Sequence, residues 1–191
     1  MRAETKRKRA TANCGPITES GEFKAWFGES KVTDSNGRPL VMYHGTYVDF
    51  DAFHIDHAFH CFTPDPLVAE QQANDSQSFF RDEPEGAAVI IMPFFLRVLR
   101  PFDPRTYECA ELMAEWGLGI PGHYDNSNWE VLEDLEVVAR IKSLGFDGIW
   151  MKRGEFYDTI AIFHPRQVKS SIGNSGRFNP DSNSLTDQGQ V

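Results

Sequence analysis

The stretch Pro39-Leu40-Val41-Met42-Tyr43-His44-Gly45-Thr46 carries a β-type apolar run into a histidine, a glycine and a threonine. A strand over Leu40 to His44 would set its last side chains at a fixed rim. Gly45 would let another group come close to the main chain, and the His44 imidazole offers a hydrogen-bonding edge near neutral pH. The segment therefore reads in two ways, as a strand end that faces a nucleotide or as a strand running into a glycine turn. Its surroundings must choose between them.

Working outward, Glu22 to Phe27 reads as a short helix, and Pro66 to Ala73 as a helix whose first turn tolerates proline. Ala87 to Arg100 is the longest apolar run. Its composition favours strand, with Pro93 marking an edge, a bulge or a break. Thr106 to Glu115 and Trp129 to Ser143 read as helices; in the second, Val131, Leu135, Val138, Ile141 and Leu144 recur at three and four, and Gly145 stops it. Ile149 to Met151 and Thr159 to Phe163 read as short strands around a Gly154–Asp158 turn. Strands without regular strand-helix alternation predict an α+β fold. No glycine fingerprint of a doubly wound dinucleotide fold or of a phosphate-binding loop is present, which weighs against a dehydrogenase or a nucleoside triphosphatase.

With 191 residues, 40% hydrophobic and 13% aromatic, the chain can bury one core. The expected organisation is a basic, flexible tail over residues 1–19, a domain over 20–172, and a flexible polar tail over 173–191, where only Phe178, Leu185 and Val191 could be buried. No apolar run approaches the ~20 residues of a membrane-spanning helix, and the basic start is not followed by a secretory hydrophobic region. Cys14, Cys61 and Cys109 lack close-paired spacing, which argues against a disulfide framework and fits a reducing compartment, with the cytoplasm as default. Five of the 19 basic residues and one of the 28 acidic ones lie in residues 1–9, leaving 14 against 27, a net of −13, for the rest. Such a body repels nucleic acid, whereas the tail could attract phosphate or simply keep the chain in solution.

Four segments together carry a resemblance: Phe23 to Gly28 with Ser30 to Asp34 and Gly37 to Thr46; Phe62 to Ala69; Gly145 to Ile149; and Ile160 to Ser170 with Ile172 to Gly176. Their order and spacing, over roughly residues 20 to 180, resemble the ADP-ribosyltransferase domains of bacterial and phage polyvalent proteins. More distantly they resemble poly(ADP-ribose) polymerases and diphtheria toxin, whose sites use histidine, tyrosine and usually glutamate. The resemblance implies a split β-sandwich with flanking helices and an NAD cleft. His44 and Gly45 carry over cleanly. Cys61 and Gln72 fall where tyrosines are common, and Thr159 falls at the glutamate position.

By this resemblance the main chain of Gly45 would hold the nicotinamide carboxamide and His44 the ribose hydroxyls, a positioning task. Cleavage at the nicotinamide ribose develops positive charge, so a nearby carboxylate is worth most there. Thr159 cannot supply that charge, and Glu155 and Asp158 are the acidic substitutes. Glu155 is preferred because strand alternation points Asp158 away from Thr159. Tyr43, Phe62 and Tyr157 are candidates to stack on nicotinamide or adenine, and Thr46 either meets the ligand or caps the turn. His54, His57 and His60, just ahead of Cys61, have a spacing that invites a metal site. Phe53 and Phe59 among them favour a packed loop over the cleft instead, and no metal is expected. The implied activity is mono-ADP-ribosyl transfer from NAD, as co-substrate, to a protein or nucleic acid, in a toxin, effector or phage-conflict factor that a cognate inhibitor or antitoxin could restrain. The alternatives are a degenerate module that binds NAD or ADP-ribose, and an NAD glycohydrolase.

Overall fold

The computed structural model describes residues 16–54, 56–77, 88–118, 134–153 and 156–188, with the side chains of 76–77, 152–153 and 156–158 left out of the description. A 3-10 turn over Ile17–Glu19 leads to Ser20, whose hydroxyl accepts from Phe23 N at 3.1 Å and starts helix α1, Gly21–Phe27. One side of α1 presents Phe23, Trp26 and Phe27, which pack with Phe95 and Phe178 into an aromatic cluster.

Two sheets follow. Strands β1 (Met42–Thr46), β3 (Ile90–Leu96) and β7 (Val168–Ser170) form an antiparallel sheet in the order β1-β3-β7. Strands β2 (His60–Phe62), β6 (Phe156–Ile162), β5 (Gly148–Arg153) and β4 (Pro101–Phe102) form the second, in the order β2-β6-β5-β4, with only β4 and β5 parallel. Between the sheets lies a core of Met42, Phe53, Phe62, Phe94, Leu96, Ile160, Ile162 and Val168. The other face of the second sheet packs Ile149, Met151 and Ala161 against helices α3 (Tyr107–Glu115) and α4 (Leu135–Ser143). Period-two alternation sorts neighbouring residues into these two layers. Helix α2, Pro66–Gln77, crosses β1. The architecture is the expected α+β one, with two sheets and, among the described residues, four helices and no closed barrel. None of the described helices is long and apolar enough to cross a membrane.

Pro93 lies inside β3, in the middle of the first sheet, rather than at an edge or a break. Its partner on β1, Tyr43, turns both of its backbone groups the other way, to Thr63. Pro93 thus faces Ser171, just past β7, where its carbonyl accepts from Ser171 N at 3.1 Å; the reciprocal bond that an N–H at 93 would make is missing, and β7 ends there.

Residues 173–191, read from composition as a flexible tail, are described to residue 188 and close over the molecule. Phe178 and Leu185 are buried, and Lys169 of β7, fully buried, pairs with Asp187 at 2.8 Å. At the other end, residues 1–15 lie outside the described part, as do residues 119–133, which include the first third of the helix read over Trp129 to Ser143.

Candidate active site

The site begins where β1 and β2 part. Tyr43 N donates to Thr63 O at 2.6 Å and Thr63 N to Tyr43 O at 3.0 Å, which joins the two sheets at this point. One step further along the same antiparallel register, Gly45 stands opposite Cys61. No backbone hydrogen bond joins them. The alternation that turns the N–H and C=O of Tyr43 toward β2 turns those of Gly45 the same way, into the split.

The split is held open by His44. Its Nδ1 lies 2.9 Å from the carbonyl of Cys61. A carbonyl only accepts, so Nδ1 bears the proton and Nε2 of the neutral ring is a bare acceptor. The ring is packed against Phe53 at 5.1 Å, Phe62 at 5.4 Å and Phe50 at 6.5 Å between centroids. This burial pulls the His44 pKa below its ordinary value and outweighs the hydrogen bond to Cys61 O, which works the other way. The imidazole is therefore neutral at physiological pH, suited to accepting a hydroxyl's hydrogen bond.

Gly45 has a second reason to be glycine. A Cβ there would run into the Ala69 carbonyl of α2 and lie 3.0 Å from the Ala73 Cβ. The missing side chain lets the helix lie directly on the strand, so a ligand must come to Gly45 along the strand edge, through the split.

A sequence model for ADP-ribosyltransferases in polyvalent proteins matches residues 34–178. The chain belongs to this family. No curated protein and no solved structure matches it. ADP-ribosyltransferase domains take NAD as substrate, and the residues at the split fit that molecule. A backbone N–H and C=O on one residue complement a carboxamide, and a neutral imidazole acceptor beside them complements a hydroxyl.

The remaining candidates of this ADP-ribosyltransferase domain fall into different places. Thr159 is fully buried and pairs with Met151, on the face turned to α3 and α4, whereas the His44 ring lies in the core between the sheets. The structure thus does not bring these two side chains together. Thr159 Oγ1 instead accepts from Gln72 Nε2 of α2 at 3.4 Å, so two of the positions that the resemblance sets where glutamate and tyrosine are common meet each other. Glu155 lies outside the described residues. Asp158 is the extra residue at a register shift in β6, between the pairs Met151↔Thr159 and Lys152↔Tyr157, so the plain alternation used to turn it away from Thr159 does not hold there. The Tyr157 side chain is not among those described.

Phe62 is fully buried against Phe53, Phe94 and His44, leaving its ring no face for a ligand; it packs the core behind His44. Tyr43 is half-buried and closes the end of the split through its backbone. Thr46 caps its own turn, its hydroxyl donating to Val48 O at 3.2 Å and accepting from Val48 N at 3.3 Å. The three histidines form a row, with His57 5.4 Å from His54 and 5.3 Å from His60 between centroids. His60 Nε2 donates to His54 O at 3.0 Å, and burial pulls its pKa down to about 4. The thiol of Cys61 is pushed up to about 12 by burial and stays protonated, poor both as a nucleophile and as a metal ligand.

Sequence reasoning named Phe53 only as part of a packed loop over the cleft and missed Phe50, and it placed neither ring against His44. The only signal was their aromatic character three residues apart in a stretch otherwise read as loop. A cavity of about 630 Å³, lined among others by Lys31, Asp103, Arg105, Phe146 and Trp150, has none of the candidates in its lining.

Proposed function

We propose that this chain is a mono-ADP-ribosyltransferase that cleaves NAD at the nicotinamide-ribose bond and passes one ADP-ribose unit to a protein or nucleic acid. The observation that carries this reading is the split between β1 and β2, where the unpaired main chain of Gly45 stands beside the neutral ring of His44. Bound NAD supplies the scissile bond and nicotinamide as leaving group. Gly45 holds the carboxamide through its N–H and C=O, and His44 Nε2 accepts from a ribose hydroxyl, which fixes the sugar without adding charge. Stabilisation of the charge that develops on the ribose falls to Glu155 or Asp158, because buried Thr159 offers only a hydroxyl. The family's setting makes a toxin, effector or phage-conflict factor acting in the cytoplasm the natural role, with an inhibitor as partner.

A second reading, a module that binds NAD and has lost catalysis, is favoured by one observation: Thr159 is buried and bonded to Gln72, on the far face from His44. Release of nicotinamide from NAD by the purified protein, with and without cell lysate, separates the two. The transferase reading expects lysate-dependent release that drops at least about 100-fold in His44→Ala and in Glu155→Ala, the size of a lost positioning or charge-stabilising group. No release, together with NAD-dependent thermal stabilisation that His44→Ala abolishes, would leave the binding module.

A further inference from the structure

We propose that Asp51 is a positioning residue for His44, held in place by the C-terminal strap of residues 171–188. The inference rests on the reading of His44 as the group that positions NAD. Asp51 stands between Phe50 and Phe53, and both rings meet the His44 imidazole edge-on while lying 4.7 Å from each other. A surface loop of this kind is ordinarily free to move. Here it is tied down four times from one remote segment. Asp51 Oδ2 accepts from Ser184 Oγ at 2.7 Å, Oδ1 from Thr186 Oγ1 at 2.8 Å and Thr186 N at 3.2 Å, and its carbonyl accepts from Leu185 N at 2.8 Å.

The strap is itself anchored. Lys169 Nζ donates to Ser184 O at 2.7 Å, Ser182 O at 3.1 Å and Asp187 Oδ1 at 2.8 Å, while Asp187 Oδ2 accepts from Asn179 N at 2.9 Å and Asn174 Nδ2 at 3.4 Å. A buried ammonium with three acceptors fixes the loop of chain that carries Ser184 and Thr186. The path from strap to imidazole is then short: Lys169 sets residues 182–187, these set Asp51, and Asp51 sets the two phenylalanines that wall His44. The titratable groups on this side of His44 are His54 and His57, in the loop after Phe53, and His60 and Cys61 of β2.

The test reads the imidazole directly, by nitrogen NMR of His44 across pH in the full chain without nucleotide, beside KM and kcat for NAD. Asp51→Ala and the double variant Ser184→Ala/Thr186→Val approach the same contact from its two ends. Both are expected to retain the native circular dichroism, to raise the His44 midpoint toward the ordinary 6.5 by roughly half a unit or more, to lower the population of the Nδ1–H form, and to raise KM several-fold with a smaller change in kcat. Asp34→Ala, which removes a comparably bonded carboxylate from another turn, is expected to leave His44 unmoved. Unchanged His44 titration in both strap variants, with only a lower melting temperature, would overturn the proposal. If Asp51→Ala does not fold, Thr186→Val alone, which removes the Thr186 Oγ1 bond to Asp51, decides between the same two outcomes. A shifted His44 in a protein that neither binds nor cleaves NAD would instead sink the transferase reading and leave the positioning role standing.

Discussion

Gly45 answers two demands, the crossing of α2 over β1 and an open main chain in the split. Gly45→Ala is therefore expected to cost roughly 1–3 kcal/mol by overpacking, measured by urea denaturation, and to abolish NAD-dependent stabilisation. Gly21→Ala, where an added Cβ meets nothing within 4 Å and the backbone is helical, serves as control and should be neutral or slightly stabilising. His60 supplies a pH prediction whose sign follows from burial. The folded protein keeps its imidazole neutral down to about 4, while the unfolded chain binds that proton near 6.5. Stability is thus full above 6.5 and is lost as pH falls toward 4, by at most about 3 kcal/mol. Melting temperatures taken between pH 7 and 4 should decline in the native protein and flatten over that window in His60→Leu.

At the scale of elements, local chemistry placed most helices and strands, and the exceptions have physical causes. Helix α4 starts at Asp134, whose carboxylate accepts from Glu136 N at 2.9 Å and Val137 N at 3.3 Å. The stripe read from Leu135, Val138, Ile141 and Leu144 is only half right. Residues nine apart at about 100° each stand on opposite sides of a helix, and the buried residues are Val137, Val138 and Ile141 while Leu135 is 61% exposed. Asp134→Ala should cost about 1 kcal/mol in urea. The α3 cap at Thr106 accepts from Cys109 N at a longer 3.4 Å but also donates to Asp103 O at 2.8 Å, so Thr106→Ala should cost about the same.

For the molecule as a whole, the closing segment decides more than its composition predicts. Lys169 and Asp187 have side chains 0% and 3% exposed, so removing one leaves the other charged and buried. Lys169→Met is expected to destabilise by roughly 3–5 kcal/mol, and Lys169→Met/Asp187→Leu to recover only part of that loss, because the Ser182 and Ser184 carbonyls and the Asn179 N–H lose their partners and residue 187 sits at φ 49. A thermal melt of the two variants beside the native protein checks the difference. Full recovery would instead show that the strap needs only occupancy of this site.

The order of segments and the α+β class were legible in the sequence, and so was the His44-Gly45 pair at the end of a strand, because strand patterning and a histidine-glycine pair are local features. Other things depended on contacts between residues far apart in the chain. Only the tertiary structure shows that Gly45 faces both a helix and an open split, that Phe62 is buried behind His44 rather than beside a ligand, that Thr159 turns to Gln72, and that Asp51 and Lys169 bind a segment more than a dozen residues away. A polar stretch such as 173–188 reads as tail by composition, since so few of its residues can be buried. It is ordered because a lysine on β7 finds its partners there, and no local pattern encodes that pairing.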